Sequence, residues 1–410
     1  MSVLWKSCLI GFAFSLGAEA QWNPEALRYS DEHLSKRRVA TELSSEQASY
    51  LATLWGGGLR TFEHRHPIES FRRKIFVPRL FDRPISVVFR PFRIRTTQVY
   101  KVKAPLIVFV PGVFSDSGNI TGQMTLKWFS EMGYHVLVVP NPLAADYVSA
   151  GPRNPYPFPQ NEVEFVIEAT QRAIFEWIDF EWVTDVHIVG ESLGAMVAAA
   201  TLAQDAQSPR PLFKAGGTFL WPPLSLSHSV NQIDQLINRT QAMYSETCRP
   251  MIDNLIFQWR VLQGFVLSNP TELETRCAPS LVGHYAFKQN LINVTQVLRK
   301  TRGQVPLSAD EQMNLRFADF VRDYSFSEPM IEQSPLVSLV HWLKKSETAP
   351  WRILSSFDDF INSGLSWDAV GDLDPDGSRL VLLPWGGHIG VSALNEFPRF
   401  LRQHFKAPAN

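Results

Sequence analysis

Gly190-Glu191-Ser192-Leu193-Gly194 sets one serine between two glycines. A serine hydroxyl is a weak nucleophile until a base takes its proton and an acid orients that base. The chemistry to look for is therefore acyl transfer, with a histidine and a carboxylate downstream. The candidate bases are His228, His284, His341, His388 and His404. His388 stands apart because the apolar run Leu380-Val381-Leu382-Leu383 leads through Trp385-Gly386-Gly387 into it. A glycine-containing loop after a last strand can reach over the carboxyl edge of a sheet, where sites in open α/β sheets form. For the acid, the apolar run at Trp351 to Ser355 exits into Asp358 and Asp359. Either carboxylate could accept the far ring N–H of His388 and stabilise the imidazolium; Asp359 is preferred because it lies farther past the strand end. An oxyanion would need backbone N–H donors. Leu193 supplies one, and Val113 in the loop Pro111-Gly112-Val113-Phe114 supplies the other.

The remaining chemistry-bearing residues read differently. His228, His284 and His341 fall in a long helical interval, and His404 in a C-terminal helix. His187 lies inside the strand that carries the serine and reads as a hydrogen-bonded core residue. His64 and His66 lack a third ligand, which a zinc site requires. Asp372-Leu373-Asp374-Pro375-Asp376-Gly377 opens like a calcium loop, but Leu383 stands where the bidentate Glu belongs. It reads as a polar turn before the final strand. No metal or cofactor is expected.

These side chains need elements to hold them. Short apolar runs without clean alternation suit strands buried on both faces of a parallel sheet. They occur near Ile85 to Phe92, Leu106 to Val110, His135 to Val139, Val186 to Val189, Gly217 to Leu220, Arg352 to Ser355 and Arg379 to Leu383. Helix-forming stretches at Asn161 to Phe180, Ala195 to Asp205 and Asn395 to Phe405 alternate with them. The pattern predicts an α/β fold with a mostly parallel central sheet and flanking helices. The serine then sits on a sharp strand-to-helix turn, where small neighbours let strand and helix approach closely. About 130 residues between the fifth and sixth of these runs are far too many for a loop. Their helical pattern, with a Ser308-x-x-Glu311 capping box, predicts a cap insertion over 222–349, between core segments 85–221 and 350–410. Residues 21–84 read as an N-terminal helical extension, with Arg72-Arg73-Lys74 as a solvated face.

The 39 basic and 40 acidic residues leave a net charge of -1, which argues against nucleic acid as a partner. With 45% hydrophobic residues the chain can build a full core. Residues 1–20 combine Lys6, a short apolar stretch and Ala18-Glu19-Ala20, the layout of a cleavable signal peptide. The expectation is an exported protein, periplasmic or secreted, with no integral membrane segment after cleavage. Of three cysteines, Cys8 would leave with the signal. Cys248 and Cys277 would remain in a compartment that permits a disulfide, although spacing alone does not show that they meet.

With Pro111-Gly112-Val113, GESLG, the paired aspartates and GGHIG in this order, the chain resembles the α/β-hydrolase superfamily and is most similar to YheT-like esterases and lipases. That family usually has a proline after its acid, where this chain has Phe360, and a histidine where it has Pro111. The family pattern also favours Asp359. The resemblance implies a serine esterase with the triad Ser192, Asp359 and His388, an oxyanion hole at Val113 and Leu193, and no cofactor. Its partner would be a small-molecule or lipid ester, with medium-chain acyl groups preferred. Trp221, Phe257, Trp259, Phe265, Phe287 and Leu291 could wall an acyl pocket or form the core of the cap. An acyltransferase with the same triad, or a non-catalytic binding protein, is the alternative.

Overall fold

The computed structural model describes residues 47–54, 70–92, 102–118, 120–153, 158–178, 180–252, 254–262, 270–324, 338–383 and 386–390, with Phe397, Leu401 and Phe405. The signal at 1–20, His64, His66, Phe265, His404 and most of the stretch at Asn395 to Phe405 lie outside these residues.

Eight strands form one sheet in the order β1-β2-β4-β3-β5-β6-β7-β8. They are β1 (Phe71–Ile75), β2 (Ile85–Arg90), β3 (Ala104–Val110), β4 (His135–Val138), β5 (Val183–Glu191), β6 (Gly217–Leu220), β7 (Trp351–Ser356) and β8 (Leu380–Leu383). β2 pairs antiparallel with both β1 and β4, and the pairings from β4 through β8 are parallel. Central strands buried on both faces need apolar residues at every position. β3, reading APLIVFV, and β4, reading HVLV, are accordingly buried throughout.

β1 corrects the expectation of a purely helical extension at 21–84. Residues 47–54 are helical, but Phe71–Ile75 is an edge strand whose Arg72, Arg73 and Lys74 are exposed. Charged side chains on an edge discourage pairing with another chain, and they also hide the apolar pattern by which a strand is recognised. The charge cluster is solvated as expected, but on a strand.

The connections include helices α1 (Ile120–Glu131), α2 (Gln160–Arg172) and α3 (Leu193–Ala206). α3 is buried at almost every position, which its run of alanines permits. Between β6 and β7 the chain is helical: α4 (Leu226–Met243), α5 (Glu272–Ser280), α6 (Gln289–Thr301), α7 (Phe317–Tyr324) and α8 (Leu339–Lys345) are its main helices. α4 buries Leu226, Ser229, Val230, Ile233, Leu236, Ile237 and Thr240, a stripe at helical spacing. Ser225 caps it by accepting the His228 N–H. Asp234 on α4 accepts the N–H groups of Phe317 and Ala318 at 2.7 and 3.0 Å, so one helix caps the next. The Ser308–Glu311 capping box forms as its spacing suggested. Apolar residues of these helices share one core cluster with the sheet, and a smaller cluster surrounds the Cys248–Cys277 disulfide.

Candidate active site

β5 ends at Glu191, and the next residue, Ser192, adopts φ 55° and ψ -126°. A non-glycine residue there is strained, and its surroundings hold it in place. The Ser192 N–H donates to Leu220 O at 2.8 Å, and α3 departs at once. The flanking glycines make the turn possible. A Cβ on Gly190 would overlap Gly194 O and the Ala195 backbone, and one on Gly194 would overlap the carbonyl oxygens of Val110 and Pro111.

The His388 ring spans the serine and one of the two aspartates. Its Nε2 lies 2.8 Å from Ser192 Oγ, and its Nδ1 lies 3.0 Å from Asp359 Oδ2. All three residues are buried, at 8%, 5% and 1% exposure for Ser192, His388 and Asp359. Asp359 Oδ1 accepts the Ile361 N–H at 3.2 Å, which fixes the plane of the carboxylate. Asp358 turns to the backbone instead. Its Oδ1 accepts the Gly387 N–H at 2.8 Å, while Ser356 Oγ donates to Gly387 O at 2.6 Å. Burial pushes the Asp358 carboxyl up to about 6, against the opposing pull of the Gly387 N–H. The adjacent aspartates thus divide the work: Asp359 meets the ring, and Asp358 holds the loop that carries it. Phe360 sets its ring edge-on to the imidazole, with centroids 6.0 Å apart.

The loop after β3 runs beside the serine, since a Cβ on Gly112 would lie 3.3 Å from Ser192 Cβ. Asn141 steadies this loop by donating from Nδ2 to Pro111 O and from its backbone to Ser115 O, both at 2.9 Å. Val113 lies in this turn and Leu193 opens α3. The first N–H groups of a helix have no intrahelical acceptor and favour nearby negative charge. Phe114 meets Phe317 of α7 at 5.6 Å, so the helical interval between β6 and β7 touches the loop that holds Val113.

One partner of the site carries no sequence signal. The His388 N–H donates to Thr53 Oγ1 at 3.0 Å, and Thr53 Oγ1 donates to Ser49 O at 2.8 Å. Thr53 belongs to the helical segment 47–54, in a polar stretch with no motif.

The other histidines are engaged elsewhere. His187 sits 3.0 Å from both Ala215 O and Thr218 Oγ1, and burial pushes its ring down to about 4. His228 Nε2 lies 2.8 Å from Ser363 O, and His284 Nε2 lies 3.0 Å from Ile237 O. Asp374 of the calcium-like turn accepts the N–H groups of Ser378, Arg379 and Leu380, as a turn residue does. No group of His, Cys, Asp and Glu among the described residues is arranged to hold a metal ion.

The apolar residues expected to line a pocket separate. Trp221 and Leu291 are fully buried, Trp259 is 52% exposed, and Phe257 is partly buried. Phe287 reaches the site's neighbourhood in a ring contact, meeting Phe360 at 6.1 Å.

The sheet order, the strained serine between β5 and α3, and the later acid and base together define an α/β-hydrolase fold. In shape the chain is similar to an esterase from Pseudomonas putida, at 15% identity and TM-score 0.45 over 88% of each chain. It is similar also to an esterase from Pyrococcus furiosus, at 10% identity and TM-score 0.43 over 82% of this chain and 88% of that one. A third similar structure is the acylaminoacyl peptidase of Pyrococcus horikoshii, at 14% identity and TM-score 0.44. The match covers 85% of this chain but only 44% of the peptidase, so the chain spans less than half that protein's length. No protein-family model matches the chain, and no curated protein does. No helix among the described residues is long and apolar enough to cross a membrane.

Proposed function

We propose that the protein is a serine hydrolase acting on carboxylic esters. The observation that carries this reading is the continuous line from Ser192 Oγ through His388 to Asp359, at 2.8 and 3.0 Å. Ser192 Oγ attacks the ester carbonyl carbon while His388 Nε2 takes its proton. The oxyanion accepts hydrogen bonds from the Val113 and Leu193 N–H groups. The C–O bond to the alcohol then breaks, and His388 returns the proton to the departing oxygen. Water repeats the cycle on the acyl-enzyme, releasing the carboxylic acid and restoring Ser192. Asp359 holds the ring and balances its charge while it is protonated.

In motif the chain resembles YheT-like esterases and lipases. Phe360, beside the imidazole, and Phe287, packed against Phe360, support an apolar acyl chain, and a medium-chain or lipid ester is the substrate class proposed. The Cys248–Cys277 bridge supports export to an oxidising compartment, periplasmic or extracellular, after loss of a signal at 1–20.

A fluorophosphonate, which modifies only an activated serine, tests the reading. The folded protein should be labelled at Ser192 and should hydrolyse p-nitrophenyl butyrate. Ser192→Ala should do neither. A folded wild-type protein that neither labels nor turns over esters refutes the proposal.

A further inference from the structure

We infer that Thr53 is a positioning residue for His388, and that residues 47–54 form a strap setting the base against Ser192. The inference rests on His388 being the base. The backbone around that residue is tied at three points. Asp358 takes the Gly387 N–H, Ser356 takes the Gly387 carbonyl, and Thr53 takes the N–H of His388 itself, at 3.0 Å. Ser356 holds the carbonyl of the Gly387–His388 peptide, and Thr53 holds its N–H, the end of that peptide joined to the residue that bears the imidazole.

The strap also fits the loop by shape. Gly387 has φ 58°, and a Cβ there would run into Ser49 O; a Cβ on Gly390 would press on Ala52 O at 2.6 Å. These glycines are small because the strap's backbone lies against them. Thr53 is itself fixed, since its hydroxyl proton goes to Ser49 O and leaves an oxygen lone pair for His388. The strap is anchored on its other side too. Tyr50 OH accepts a hydrogen bond from Arg239 Nη2 of α4 at 2.7 Å, and the Tyr50 ring meets Phe360 at 5.3 Å. The segment therefore links the cap, the ring that faces the imidazole and the peptide that carries it.

A displaced base costs rate more than affinity, because misplacement of about 1 Å weakens proton transfer by on the order of 100-fold while leaving substrate contacts in place. Thr53→Val keeps the volume and removes the acceptor. It should lower kcat on p-nitrophenyl butyrate about 10- to 100-fold with KM nearly unchanged, and should slow fluorophosphonate labelling in parallel. Thr53→Ser keeps the hydroxyl and should recover activity to within about threefold of wild type. A Thr53→Val protein within twofold of wild type, or a Thr53→Ser protein as impaired as Thr53→Val, overturns the inference. If Thr53→Val does not fold, Thr53→Ser decides: near wild-type activity supports the hydroxyl's role, and a Val-like loss in folded protein overturns it. Amide hydrogen exchange separates this inference from the function beneath it. The His388 amide should exchange at least tenfold faster in folded Thr53→Val, whether or not the protein turns over esters. An unchanged exchange rate removes the tether. Wild-type protein that fails to label refutes the hydrolase reading instead.

Discussion

Asp359→Asn is the substitution whose outcome the geometry constrains most. Asp359 presents two oxygens to different partners: Oδ1 accepts the Ile361 N–H at 3.2 Å, and Oδ2 faces His388 Nδ1 at 3.0 Å. An asparagine must keep its carbonyl oxygen toward Ile361, because an N–H there needs an acceptor. Its NH2 group then points at Nδ1 and donates to it. That stabilises the tautomer with the proton on Nε2, which faces Ser192 Oγ at 2.8 Å and cannot take the serine proton. The side chains of Asp359 and His388 are 0% and 6% exposed, so water has little room to repair the mismatch. A wrong tautomer in such a triad costs about 10⁴ in kcat, or ~5 kcal/mol of transition-state stabilisation. Asp358→Asn is the matched control. Its Oδ1 can still accept the Gly387 N–H, so kcat should fall by no more than about threefold, since the ring keeps its partner. Steady-state hydrolysis of p-nitrophenyl butyrate, with fluorophosphonate labelling as a second measure, compares the two. An Asp359→Asn protein retaining about a tenth of wild-type kcat, far above the loss a wrong tautomer brings, would refute the assignment of roles. So would equal losses in both variants.

Burial lifts the Asp358 carboxyl from 3.8 to about 6. The folded state therefore keeps a proton that the unfolded chain releases, and wild-type stability falls as pH rises through that window. Asp358→Asn removes this slope, so its melting temperature should gain on wild type between pH 4 and pH 7; a constant difference would contradict the shift. Gly194→Ala drives a Cβ into the backbone oxygens of Val110 and Pro111, and urea unfolding should show a loss of about 1–3 kcal/mol or more, against little change for Gly371→Ala, where space is open. The Cys248–Cys277 bridge closes a span of 29 residues, so the double serine variant should lose about 3–4 kcal/mol in the chain-entropy account, read by thermal melting with and without reductant.

Seven strands and the candidate triad were legible because each left a local mark. Ser192 lies between glycines that no larger residue could replace, and His388 follows an apolar strand through two glycines. The division of labour between Asp358 and Asp359 was only partly legible. Two adjacent carboxylates at a strand exit look alike in sequence, and which one meets the ring depends on the turn that Ile361 and Gly387 impose. β1 was missed because three of its five residues are charged and exposed, as an edge position allows. Thr53 was missed for a different reason. A hydroxyl that accepts one backbone N–H across 335 residues leaves no periodicity and no spacing. For the apolar residues the sequence left pocket wall and core both open; Trp221 and Leu291 are buried in the core cluster, and hydrophobicity alone does not distinguish a lining residue from a filling one.

Ser192 precedes His388 by 196 residues, with the whole cap between them. At synthesis rates of roughly 5–20 residues per second, a ribosome needs on the order of 10–40 s to travel from the nucleophile to the base. Throughout that interval the nascent chain carries a serine without its base, and the acid precedes the base by only 29 residues. The early Thr53 must likewise wait for a partner made 335 residues later. The long return path thus keeps the candidate nucleophile apart from its base until the residues after β8 have been made.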